Sequence, residues 1–142
     1  MNLPAALSNH PAAAQNLATW NEAAQGAFAS STQRAYRADS RAFADWCAGE
    51  SIPPLPASAE AVAGFIRAQA RAGCAVASIR RRVSTISRLH RAAGLPNPCG
   101  HELVRLALKA VARERGTDQR QAAGLTERDT LTRVARQRSR TA

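Results

Sequence analysis

The chain has 142 residues, with 20 lysines and arginines against 10 aspartates and glutamates, a formal charge of +10 and a pI near 11.4. That length suits one ordinary domain with extended ends rather than two full ones. No run approaches the ~20 consecutive apolar residues needed to cross a bilayer, and the opening MNLPAALSNHPAA lacks the positive region of a secretory signal, so a cytoplasmic protein is expected.

Apolar residues recur with a period near 3.6 and are punctuated by glycine and proline, so the expected fold class is all-α, with no segment alternating as a strand would. A first helix over 12–28 carries the stripe Ala13, Leu17, Trp20, Ala24 and Phe28, which must be buried on its own domain or on another subunit. A second, over 31–49, opens where Ser30 and Gln33 have capping-box spacing, aligns Tyr36, Phe43, Trp46 and Cys47, and stops at Gly49 before IPPLP.

A third helix over 57–72 follows Pro56, buries Val62, Phe65 and Ile66, and stops at Gly73; a fourth over 76–93 aligns Val76, Ile79, Val83, Ile86 and His90 before Gly94 and Pro96. The fifth, over 100–115, carries Leu103, Leu106, Ala107 and Ala110 as its core stripe and ends at Gly116. Residues 117–124, TDQRQAAG, read as an exposed linker, and LTERDTLTRVARQ restarts a helix with Thr126 as its N-cap before a basic tail. The expected division is therefore an N-terminal segment over 1–30 that holds a helix, a helical domain over 31–116, and a linker with an interrupted second domain over 117–142.

Cys47, Cys74 and Cys99 lie far apart, and an odd number cannot complete a disulfide framework. With His10, His90 and His101 they offer no closely spaced ligand pairs, so neither a metal nor another cofactor is expected, and the thiols are expected to be reduced.

The charge is uneven. Residues 1–33 contain a single charged side chain, Glu22, which leaves all twenty cations and nine of the ten acids, +11 net, on the remainder. Only Lys109 among the cations is a lysine, and arginine's planar fork suits phosphate and guanine better than a point charge does. At 100° per residue, Arg34, Arg37 and Arg41 form a strip on the second helix. On the fourth, Arg81, Ser84 and Arg88 point away from the apolar stripe, with Arg80 and Arg91 at one shoulder and Arg82 at the other. Arg105, Lys109 and Arg113 follow i, i+4 spacing on the fifth, and Arg115 and Arg120 continue the run.

A charged strip is usually just a solvated face, but a solvated face mixes signs, and no acid occurs between Ala61 and Gly100. A dense phosphate array would relieve that repulsion. A membrane partner is not expected, because the apolar faces are committed to a core. A single-strand stacking platform is not expected either, because the six aromatics sit on apolar stripes. Nor does anything in the chain point to a small-molecule substrate. Double-stranded DNA, with a helix in its major groove, fits best.

Taken in order, STQRAYRADSRAFADWC, PLPASAEAVAGFI, AVASIRRRVSTISRLHRAAGLPNP, VRLALKAVARERG and RQAAGLT resemble the N-terminal core-binding, SAM-like domain of phage integrase family tyrosine recombinases, in a Cre-like layout. The likeness covers about residues 12–130. It lies in the combination of T-x-R-x-Y before F-x-x-W-C, L-P-A opening the next helix, and H-x-x-x-G-L-P closing the long basic one.

The resemblance implies a compact domain of four to five helices that clamps one face of a recombination half-site and takes part in site-specific DNA recombination and integration. It implies groove-facing Thr32, Arg34 and Ala35 on the second helix and Ser78, Arg81 and Arg82 on the fourth. Arg37, Arg41, Arg80, Ser84 and Arg88 fall on the same basic faces, Lys109 and Arg113 approach phosphate, and Arg120 begins the interdomain connector. Leu17, Trp20 and Phe28 resemble an element that contacts another copy of the recombinase on DNA. Family members that place lysine and glutamine in the groove have Ala77 and Arg81 as counterparts here, which implies a different target sequence.

The family's arginine-lysine-histidine-arginine cluster and tyrosine nucleophile belong to a domain beyond the linker, so this stretch alone is expected to cut nothing. Tyr36, the sole tyrosine, and His90 both read as packed helix residues. Two rival readings are a helix-turn-helix-type transcription regulator that stands alone and a helical protein-interaction module with incidental charge.

Overall fold

The computed structural model describes residues 10–117 and Gly124, and no strand occurs among them. The elements are α1 (Pro11–Ala27), α2 (Ser30–Gly49), α3 (Ala59–Arg71), α4 (Val76–Ala93), a 3-10 turn at Pro98–Gly100, and α5 over 102–117. No described helix is long and apolar enough to cross a membrane. The expected linker from 118 onward, including Arg120, and the Thr126 cap lie outside the described residues, apart from Gly124.

Local chemistry sets most of these boundaries. Pro11 supplies the fixed φ suited to a first turn, and Ser58 caps α3 by accepting the Ala61 N–H at 3.1 Å. Gly94 ends α4 in the left-handed region at φ 72°, and the Leu95 N–H closes the motif on His90 O at 2.9 Å. Two expectations fail here. The residue flanking the start of α2 is Ala29 and makes no side-chain cap; Gln33 reaches back instead, donating Nε2 to Phe28 O at 2.9 Å and Gln25 O at 3.3 Å, which welds α1 to α2. The second helix does stop at Gly49, the positive φ of 57° falling two residues later at Ser51, but α5 runs through Gly116 rather than ending there.

The molecule is organised around α4, which packs against α1, α2, α3 and the 3-10 turn. Its Ile79, Val83 and Ile86 meet Phe43 and Cys47 of α2 and Val62, Phe65 and Ile66 of α3 in the main core. Each fully buried aliphatic or aromatic side chain there contributes about 1.5 to 3 kcal/mol. Close approach of α2 and α3 depends on Gly64, where a Cβ would stand 3.1 Å from Cη2 of Trp46. Phe43 meets Phe65 edge-on at 5.0 Å.

A second cluster joins α1 to the far end of α4 through Ala13, Leu17, Leu55 and Ala93. Asn16 Nδ2 donates to Ala93 O at 3.0 Å, satisfying one of the free carbonyls at the α4 C-terminus.

The register of α5 differs from expectation. Of the expected stripe only Ala107 is buried, and it is joined by Val104 and Val111, while Leu103 is 40% and Leu106 51% exposed, and Ala110 is exposed as well. Both sets have helical spacing and lie side by side on the helix. Contact with the main core selects the face carrying the smaller side chains. Arg115 fixes that choice by donating Nη2 to Ala70 O at 2.9 Å, a cation on the last turn of α3. Burial raises the Cys47 and Cys99 thiols to about 11, so both are protonated and inert at neutral pH.

His90, which is wholly buried, clamps the α2–α3 connection onto α4. Its Nε2 accepts the Ala57 N–H at 2.9 Å, so the proton sits on Nδ1, which donates to Ile86 O at 2.8 Å. Burial lowers its pKa, the Ile86 bond opposing in part, and only the neutral ring can accept from Ala57. The unfolded chain takes up a proton near pH 6.5 and the folded chain does not, so the clamp's stability is complete above that pH and is lost as pH falls toward the lower folded value. His90→Ala is expected to cost about 2 to 4 kcal/mol in urea unfolding at pH 8. It is also expected to flatten the decline of wild-type stability as pH falls below about 6.5.

Candidate nucleic-acid interface

Because four elements pack on α4, only a narrow strip of it meets solvent: Ala77, Arg80, Arg81, Ser84 and Arg91 are exposed, and Ser78, Arg82 and Arg88 are half-buried. The five arginines expected on the face opposite the apolar stripe and on its two shoulders therefore split into three environments. Arg80 and Arg91 are exposed; Arg81 and Arg82 are drawn toward an acid on α2 and toward α3; Arg88 lies over aromatic rings.

The acid is Asp39, only 1% exposed and set on the core-facing stripe of α2 between Tyr36 and Phe43. Arg81 grips it with two bonds, Nη2 to Oδ1 at 2.9 Å and Nε to Oδ2 at 3.1 Å, while the Thr85 hydroxyl donates to Oδ2 at 3.0 Å. Arg81 and Thr85 stand one turn apart on α4, so a single carboxylate ties two successive turns to α2. The Asp39 hydrogen bond and then its charge raise the Arg81 pKa further, so Arg81 is a permanent cation. Its side chain nonetheless remains 54% exposed.

Arg82 turns the other way. Its Nη1 donates to Gln69 Oε1 on α3 and lies 3.5 Å from the Cys74 sulfur, and its side chain is 23% exposed. Its Nε is buried, has no hydrogen bond, and stands 3.8 Å from Asp39 Oδ1. Arg88 is placed 5.5 Å from the centroids of both Phe28 and Tyr36. Those rings meet edge-on at 5.5 Å, and Trp20 completes the cluster at 6.4 Å from Phe28 and 6.2 Å from Tyr36. The expectation that Arg88 points away from the molecule is thus corrected: an aromatic cluster spanning the α1–α2 corner holds it.

Of the residues expected at a subunit contact, Leu17 is 3% exposed inside the α1–α4 seam and is unavailable for one. Trp20 and Phe28 are half-buried in the aromatic cluster. On α2, Arg34, Arg37 and Arg41 are exposed and Thr32 and Ala35 half-buried. Thr32 and Ala35 lie about 6 to 10 Å before Asp39 along the helix axis, from a rise of about 1.5 Å per residue. Arg37 and Arg41 do not join the Asp39 cluster; with Glu22 and Gln25 of α1 and Leu89 of α4 they line a cleft of about 740 Å3 between α1, α2 and α4. On α5, Lys109 and Arg113 are exposed, while Arg105 pairs with Glu102 at 3.2 Å. No three His, Cys, Asp or Glu side chains converge among the described residues as a metal site would need.

Asp39 is not among the residues expected from the sequence. Its signal was an acid on an apolar stripe, which must find a partner, opposite a helix whose Arg81 and Thr85 stand i, i+4.

Compared with known proteins, residues 23–94 match the family described as phage integrase, N-terminal SAM-like domain. An "Integrase/recombinase xerD homolog" from Selenomonas ruminantium is 40% identical over 95 residues, which is 65% of this chain and 28% of that protein. The chain thus spans little more than a quarter of that relative's length. Arg88→Ala is expected to lower the urea midpoint at unchanged m-value, corresponding to about 1 kcal/mol, the worth of a half-buried cation over aromatic faces.

Proposed function

We propose a function from one premise: the chain belongs to the phage integrase family, whose N-terminal SAM-like domain it carries. Its role is to bind double-stranded DNA at a recombination half-site, as the core-binding part of a site-specific recombinase. The observation that carries this reading is the exposed strip of α4, where Arg80, Arg81 and Arg91 face solvent on a helix held rigid by its neighbours on the other sides. A rigid helix that presents arginines without a competing surface acid is suited to the major groove.

Arg34 on α2 and Lys109 and Arg113 on α5 add exposed cations that suit phosphate contacts, which supply affinity without sequence information. Binding rather than cleavage is assigned to this stretch, since Tyr36, the sole tyrosine, is engaged in ring packing instead of standing beside a phosphate-binding cluster. Another copy of the recombinase on the paired half-site is the second partner, with the half-buried edges of Trp20 and Phe28 left for that contact.

Anisotropy titration of a labelled duplex across salt concentrations tests the reading. Neutralising about six phosphates gives a log-log slope near −5, and Lys109→Ala is expected to reduce its magnitude by about one while weakening all duplexes alike. A slope near zero for the wild type would sink the proposal.

A further inference from the structure

We infer that Asp39 is a positioning residue that fixes how Arg81 meets DNA, and so sets base preference rather than affinity; the inference rests on the DNA-binding reading above. A guanidinium has five N–H donors. Arg81 commits the Nε proton and one Nη2 proton to Asp39, at 3.1 and 2.9 Å. The opposite edge, Nη1 with the remaining Nη2 proton, is a second parallel pair of donors, and the side chain is 54% exposed. Two parallel donors in one plane match the O6 and N7 acceptors of a guanine.

What makes the edge directional is the anchor. Asp39 is 1% exposed, accepts the Thr85 hydroxyl at 3.0 Å and has Arg82 Nε 3.8 Å from Oδ1, so the carboxylate cannot follow a swinging arginine. An unanchored arginine can choose among many rotamers and reach phosphate or base as the duplex offers. Arg81 is ordered before DNA arrives.

The anchor has a second effect. Asp39 cancels the charge of Arg81 locally, so this arginine contributes little to sequence-independent attraction while keeping its outward donors. Removing the carboxylate charge raises the formal charge from +10 by one and frees the guanidinium. General affinity then rises as discrimination falls. A role confined to stapling α2 to α4 would lower both together.

The experiment uses the full chain as wild type, Asp39→Asn and Arg81→Lys, each checked by thermal melting. Each is given a duplex pool randomised over about 20 base pairs, for base preference, and one fixed unrelated duplex at several salt concentrations, for general affinity. The wild type is expected to prefer one base at the Arg81 contact by about 5- to 150-fold. Asp39→Asn should reduce that preference to about twofold or less while steepening the salt slope on the fixed duplex by up to about one. Arg81→Lys, which keeps the charge and loses the fork, should lose preference at the same base pair.

Full preference retained in Asp39→Asn, or a loss spread over all positions in step with a lower melting temperature, would overturn the inference. If Asp39→Asn does not fold, Arg81→Lys decides alone, and unchanged preference there overturns it too. A wild type that binds both probes with salt dependence but selects no base leaves the DNA reading standing and removes this one. A wild type that binds neither removes both.

Discussion

A helix that carries five arginines and also sits at the centre of a helical core can keep only a thin strip of itself in solvent. In α4 that conflict is resolved by giving the arginines different anchors: an acid of α2 for Arg81, an amide of α3 for Arg82 and a pair of rings for Arg88. Five like charges on one helix would otherwise repel. Asp39 supplies a counter-charge from outside the helix, where no local scan of the α4 sequence can find it.

The buried polar side chains among the described residues are Asp39, Thr85 and His90, and all three lie at contacts of α4. Asp39 and Thr85 set its register against α2, and His90 sets it against the connection before α3. Apolar contact alone tolerates sliding along a helix, since one buried methyl substitutes for another. A hydrogen bond to a buried group does not, because a slip of one residue leaves that group unpaired at a cost of about 1 to 3 kcal/mol. The polar groups therefore determine where α4 stands, and the Ile79, Val83 and Ile86 stripe supplies most of the burial that holds it there.

This division explains what could be read from the sequence. The fold class, the places of α1 to α4, and the stops at Gly73 and Gly94 follow from periodicity and from positions needing positive φ, both of which are local properties. The buried face of α5 was legible only at Ala107, because Leu103–Leu106–Ala107–Ala110 and Val104–Ala107–Val111 are equally good stripes and only tertiary contact chooses between them. Arg88 was misplaced for the same reason. A helical wheel has one inside and one outside, whereas α4 has neighbours on several sides, and a side chain opposite its main stripe can still lie against another helix.

The same geometry separates two properties that a count of charges merges. Arg34, Lys109 and Arg113 are exposed and can follow any phosphate backbone, so they suit attraction that is general and screened by salt. Arg81 is tied at its base and free at its edge, and its position is inherited from an acid that never reaches the surface. Sequence preference in such a domain need not reside only in the residues that touch DNA. It can be set one layer below, where substitutions look like core changes and act on recognition through the one side chain that the core holds in place.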